Sequence, residues 1–253
     1  MNVASQDGTT FSWVAIYTEL GKTVLEYRDR QADLIKMLNE LQAQGIPVIS
    51  TTDRDKNDKK FPLVEIDPFT FFASFNRHAT QENRRTILKH LKTKLGVQSA
   101  IPADFDGIPI VNAQASWFFT YKGKRDPDDI PSLWKLAEAV VNGSPEDLDA
   151  KLYERCLQIL KVGRAKLTMG MFWLNPKQYI AWDANNRKLF EQHGISREIE
   201  TLPEYLELLK EVKGKIGLRS GKLFAFITPT TADDPEAIAK LKKAAHEVLN
   251  ITL

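Results

Sequence analysis

The run Asp67-Pro68-Phe69-Thr70-Phe71-Phe72, with Phe75 close behind, limits the folding of this chain more than any other feature. Aspartate before proline opens a helix. The carboxylate accepts first-turn N–H groups that have no partner in the helix, and proline suits the first helical position, where its missing N–H is no loss. Residues 69–75 are therefore predicted to be helical. Their phenylalanines cover more than one face, and a helix that is apolar nearly all round has no side left for water, so it belongs in a core. With 253 residues, 43% hydrophobic and 27% charged, the chain has material for one large core or two modest ones.

Helical periodicity dominates the rest. Val14, Tyr17, Leu20, Val24 and Leu25 recur at helical spacing, and Leu34, Ile35, Leu38 and Leu41 repeat the pattern up to Gly45. Two antiparallel helices are the simplest reading. The stretch 53–60 is almost wholly charged and reads as a solvated loop. Thr80 caps a helix through Leu95, with Ile87, Leu88, Leu91 and Leu95 inward, Arg84, Arg85, Lys89, Lys92 and Lys94 mainly elsewhere, and Gly96 at its end. Between 101 and 124, Pro, Asp and Gly punctuate short apolar runs that suit either strands or extended loop.

Asp129 and Pro131 open a helix closed by Asn142-Gly143, and Ser144-Pro145-Glu146-Asp147 opens another, to about Leu160. Lys161-Val162-Gly163 breaks that helix, a strongly apolar one follows over 164–174, and Asn175-Pro176 stops it. Asp183 begins a short helix to Phe190, and Thr201-Leu202-Pro203-Glu204 has capping-box spacing before a helix to about Val212. A basic turn, a strand over 223–227 and a helix over 235–249 complete the chain. The expected fold is mainly α: a compact multi-helix domain over 11–212 with a helix-hairpin-helix-like element and a few short strands. Residues 213–253 form a strand-helix extension packed on the same unit.

Several function classes are set aside. No stretch approaches the roughly 18 apolar residues of a membrane span, and the start is too polar for a signal peptide, which places the chain in the cytoplasm with no membrane partner. The single cysteine, Cys156, lies in a helical pattern and reads as a small buried hydrophobe. His78, His90, His193 and His246 show no paired spacing, so neither a metal nor a cofactor is expected. The segment Gly217-Leu218-Arg219-Ser220-Gly221-Lys222-Leu223 lacks both the four residues between glycines and the Ser or Thr after lysine that a P-loop needs. Nucleotide hydrolysis is not expected, and a binding module is favoured over an enzyme.

The net charge of +2 leaves nucleic acid open, because such binding follows from where the charge sits. Around Gly163, a glycine hairpin between helices offers backbone N–H groups to a phosphate oxygen, and Lys161, Arg164 and Lys166 add charge. The plain alternative is a tight helix connection with solvated cations. Arg77, Arg84 and Arg85 are further phosphate-contact candidates. Among the aromatic residues, Trp117 and Tyr121, beside Lys122, Lys124 and Arg125, are the base-stacking candidates. Asp183 reads first as an N-cap.

Several blocks, in order, carry a resemblance: Glu65 to Phe72, Phe75-Asn76-Arg77, Asn83-Arg84, Ile101-Pro102, Asp104-Phe105-Asp106-Gly107-Ile108-Pro109, Trp117-Phe118-Phe119, Asp129-Ile130 with Leu133-Trp134, and Leu167 to Trp173. Together they resemble the N-terminal region of McrB-type, methylation-dependent restriction GTPases, over about residues 11–210. The resemblance implies a DNA-recognition module of a restriction or antiviral defence system that reads modified bases such as 5-methylcytosine. An AAA+ GTPase motor and a nuclease subunit would be its partners. A weaker local similarity links the hairpin and Asp183 to helix-hairpin-helix DNA glycosylases, which implies an alternative base-flipping enzyme using Asp183. Lys161 stands where those enzymes usually carry a second hairpin glycine, and Ala165 where a bifunctional enzyme has lysine. A third reading is a protein-interaction platform of a defence complex.

Overall fold

A computed structural model of the chain describes residues 11–77 and 79–215, which form a mainly helical fold. The basic turn at Gly217, the strand over 223–227 and the helix over 235–249 lie outside the described residues. In chain order the elements are α1 (Val14–Leu25), α2 (Gln31–Ala43), β1 (Thr52–Arg54), β2 (Lys60–Pro62), α3 (Pro68–Ala73), α4 (Gln81–Leu95), α5 (Asp129–Asn142), α6 (Ala150–Leu157), α7 (Gly163–Leu174), α8 (Ala184–Gln192) and α9 (Leu202–Lys215).

The predicted phenylalanine helix is α3. One Asp67 carboxylate oxygen accepts the backbone N–H groups of Phe69 at 2.8 Å and Thr70 at 3.0 Å. Every residue of α3 is buried, and Phe69, Phe71, Phe72 and Phe75 are wholly shielded from solvent. Each such ring contributes roughly 1.5–3 kcal/mol by leaving water. Helix α3 packs on α1, α5 and α7, and α7 in turn touches α1, α3, α5 and α6. Gly170 makes the close approach of α7 possible. A Cβ there would lie 2.7 Å from Phe69 Cδ1 and 2.9 Å from Phe118 Cε1, inside any tolerable contact.

The remaining helices follow their local signals. Thr80 Oγ1 accepts the N–H of Asn83, the predicted inner stripe of α4 is buried, and Gly96 ends the helix at φ 71°. Thr201 N–H donates to Glu204 Oε2 at 2.9 Å, completing the start of α9.

Two expectations are corrected. Ser144 and Asp147 form a capping box, but it closes only one tight turn at Pro145–Asp147; Asp149 then caps α6 afresh, and α6 ends at Leu157 rather than near Leu160. The charged stretch 53–60 is not simply a solvated loop. It joins the paired strands β1 and β2, and Asp53 at its start is fully buried. Of the two alternatives open for residues 101–124, the structure takes extended loop, with turns that include a 3-10 turn at Ala113–Ala115, and Val111 forms an isolated bridge with Arg77.

Irregular backbone inside a protein needs donors for its carbonyls, and the tryptophans supply them. Trp13 donates to Asp106 O at 2.8 Å, Trp134 to Ile66 O at 2.9 Å and Trp173 to Pro109 O at 2.9 Å. Trp117 donates to Ser50 O at 3.1 Å, and Trp182 to Arg197 O at 3.4 Å. Each indole has a single N–H, so each of these rings pins one place in a loop to a helix or a second loop.

Burial pushes the Asp67 carboxyl from its ordinary 3.8 up to about 6. A folded-state pKa above the unfolded one means that the stability is complete below about pH 4 and is lost as pH rises through about 6. Asparagine caps as well as aspartate without ionising. Asp67→Asn is therefore expected to gain on the parent in thermal melts between pH 4 and pH 7, and Asp67→Ala to melt lower at both. A gap between Asp67→Asn and the parent that does not widen with pH would contradict a buried ionisation.

Candidate nucleic-acid interface

Between α6 and α7 the chain reverses over residues 158–162. Lys161 at φ 74° and Gly163 at φ 63° both take the left-handed conformation. At Gly163 a Cβ would meet nothing within 4 Å, so the glycine is needed for its backbone angle and not for space. Val162 stands at the N-cap of α7 and makes no side-chain capping bond. The first-turn N–H groups, which lack partners inside any helix, are thus left without the usual side-chain acceptor. Lys161 and Gly163 are exposed, and beside them Leu160 is 55% exposed.

A cleft of about 110 Å³ lies between this hairpin, the loop over 113–121 and the segment Ile49-Ser50. Four of the residues expected to bind line it: Arg77, Trp117, Tyr121 and Lys161. Among the described residues its lining contains two cations and no carboxylate. The Trp117 ring stands 4.9 Å from Phe119 and 5.6 Å from Tyr121, forming an aromatic wall, while its N–H is held by Ser50 O. Arg77 Nη1 donates to Val48 O at 2.8 Å, which fixes the base of the side chain's fork. The cleft is smaller than the roughly 300–1,000 Å³ sites that enclose drug-sized ligands, so it suits a group projecting from a larger partner.

A pair invisible in the sequence anchors the aromatic loop. Buried Asp53 accepts Lys122 N–H at 2.9 Å and Arg125 Nη1 at 2.7 Å, and Arg125 Nη2 reaches Glu65 Oε2 at 3.1 Å. The Arg125 guanidinium also covers the Phe119 ring at 5.2 Å. The loop is thereby tied both to β1 and to the segment leading into α3. A buried carboxylate that lost this partner would be strongly penalised.

Residues 13–232 match the family described as Domain of unknown function (DUF8425). The chain belongs to the DUF8425 family. No curated protein and no solved structure matches it.

Other expected contacts in this DUF8425 chain fall elsewhere. Arg84 is a core residue: its Nε donates to Phe75 O at 2.7 Å and its Nη2 to Asn76 Oδ1 at 3.1 Å, leaving no surface for a phosphate. Arg85 donates to Ala103 O and to Gln81 Oε1. Lys92 caps the end of its own helix, bonding Val97 O, Gln98 O and Ser99 O, and Lys94 pairs with Glu40 at 2.7 Å. The basic face expected on α4 is therefore largely spent on the protein itself. Arg164 donates to Ile199 O at 2.8 Å, lies 3.4 Å from Glu200 and covers the Trp182 ring. Lys166 turns inward, donating to Trp117 O and Lys161 O over the Phe118 ring, and burial presses its ammonium down to about 8.

Burial pushes the Cys156 thiol up to about 12, which is no setting for a nucleophile. Among the described residues no group of three or more His, Cys, Asp or Glu is placed to hold a metal, and no helix is long and apolar enough to cross a membrane. Asp183 is the N-cap of α8. Its Oδ1 accepts the N–H groups of Asn185 and Asn186, both at 2.9 Å, burial raises its pKa, and it does not line the cleft.

This cap gives a direct expectation. Asp183→Ala should lower stability by about 1 kcal/mol in chemical denaturation, while Asp183→Asn, which keeps an acceptor for both N–H groups, should stay within a few tenths. Equal losses in both variants would show that the carboxylate has work beyond capping.

Proposed function

We propose that the chain is a DNA-recognition module that docks nucleic acid on the cleft between the α6–α7 hairpin and the aromatic loop. The observation that carries this reading is the convergence of Arg77, Lys161, Trp117 and Tyr121 around one cleft whose lining, among the described residues, has no carboxylate. Cations hold phosphate oxygens and fix register, and aromatic faces accept bases by stacking. The uncapped start of α7 beside exposed Lys161 supports the same ligand, since free N–H groups at a helix N-terminus favour an anion. The phosphate-contact set centres on Lys161, Arg77 and the hairpin at Gly163.

The ordered blocks similar to McrB-type N-terminal regions support a more specific role. That role is recognition of modified DNA, such as DNA bearing 5-methylcytosine, in a restriction or antiviral defence system. A partner AAA+ GTPase motor and a nuclease subunit would then supply hydrolysis and cleavage, with the chain working in the cytoplasm. The glycosylase reading has less support, because Asp183 is occupied in holding α8 and lies apart from the cleft lining.

Fluorescence polarization with modified and unmodified duplexes and single strands, at several salt concentrations, tests the proposal. Saturable binding that weakens with salt is expected. Lys161→Ala should lower affinity severalfold and reduce the salt slope by about 0.9 on duplex, the signature of one lost phosphate contact. Arg85→Ala should leave both nearly unchanged. No saturable binding at low salt to any duplex or strand would overturn the reading.

A further inference from the structure

Lys166 is the one cation of the hairpin region that turns away from solvent, and its two backbone acceptors belong to different walls of the cleft. Its Nζ donates to Trp117 O in the aromatic loop and, at 3.3 Å, to Lys161 O in the hairpin. Trp117 and Lys161 both line the cleft, and Lys166 does not. An ammonium carries three donors on a single atom, so one lysine can hold two carbonyls that approach from different segments.

The rest of its surroundings hold the ammonium still. Nζ sits 4.8 Å from the centre of the Phe118 ring, within cation–π range. Phe118 stacks on Phe69 of α3 with centroids 5.4 Å apart, and its backbone N–H donates to Thr70 Oγ1 at 2.8 Å. Gly170, one turn along α7 from Lys166, closes against both rings. The lysine therefore grows from the first turn of α7 and rests on the stacked Phe118 and Phe69 rings of the core. Burial weighs most against its charge, the buried carboxylate of Asp67 favours it, and Lys161 opposes it.

We propose that Lys166 is a positioning residue that sets the spacing between Lys161 and Trp117, and so the width of the cleft, without touching the ligand. Its effect on binding rests on the nucleic-acid reading above, whereas its effect on the two walls does not. This assignment differs from a phosphate contact in a measurable way. A lysine on a phosphate contributes to the salt dependence of binding, while an internal clamp changes affinity and leaves that slope alone.

The test is Lys166→Met, which keeps the apolar stem and removes the donors, followed by amide hydrogen exchange and by polarization binding of a duplex and a single-stranded oligonucleotide. Exchange is expected to rise together in residues 113–121 and 158–163, with α1 and α4 unchanged. Affinity should fall about tenfold with the salt slope of the parent. Unchanged exchange in either segment would overturn the clamp, and so would a slope reduced by about one, which marks a direct phosphate contact. If the parent binds no oligonucleotide the DNA reading fails, and the exchange result still decides the clamp. Should Lys166→Met not fold because Asp67 is left as a lone buried charge, the double variant Asp67→Asn, Lys166→Met keeps the α3 cap, removes both charges and is read in the same way.

Discussion

Two backbone N–H groups, accepted by one carboxylate oxygen of Asp67, allow a six-residue apolar helix to stand in the middle of this protein. A helix so short does not form alone in water, since nucleation costs more than a turn or two of hydrogen bonds returns. Packing on α1, α5 and α7 supplies the difference, and the glycine at 170 lets α7 come close enough to supply it. The ends of the block are fixed too. Trp134 holds Ile66 O, and Glu65 meets Arg125 from the aromatic loop.

These fixtures run from the core to the candidate interface. Thr70 of α3 accepts the Phe118 N–H, Phe118 stacks on Phe69, and Lys166 sits on the Phe118 ring while bonding to Trp117 O. Helix α3 is thus buried, and it works by holding a loop whose outer side chains line the cleft. A short chain of contacts joins the buried phenylalanines to the cleft-lining residues.

The parts of this arrangement that could be read from the sequence are those set by neighbours in the chain. Caps at Asp67, Thr80, Asp183 and Thr201, the stop at Gly96 and the stripe of α4 all depend on residues within a few positions of one another. Where two caps compete, as Ser144 and Asp149 do, local signals could not say which opens the longer helix. Direction was harder to read than type. Arg84, Arg85, Lys92 and Lys166 were visible as cations, but whether a cation faces water or a carbonyl depends on where distant segments pass, and these four turn to backbone carbonyls. The Asp53–Arg125 pair joins two segments far apart in the chain, and neither residue stood out from its charged neighbours. Arg77, Lys161 and the Trp117–Tyr121 pair stand in three separate parts of the sequence, and only folding brings them to one cleft.

A net charge of +2 therefore says little about the surface, because cations such as Arg84, Lys92 and Lys166 are engaged internally, and among the described residues the cleft lining holds no acid. The most direct measurement is a map of backbone amide NMR shifts on titration with a short duplex and a short single strand. Perturbations centred on residues 113–121 and 158–163 and on Arg77, with α4 silent, are the expected result. Perturbations centred on α4, or a titration that leaves the cleft residues unmoved, would contradict the assignment of this cleft as the nucleic-acid site.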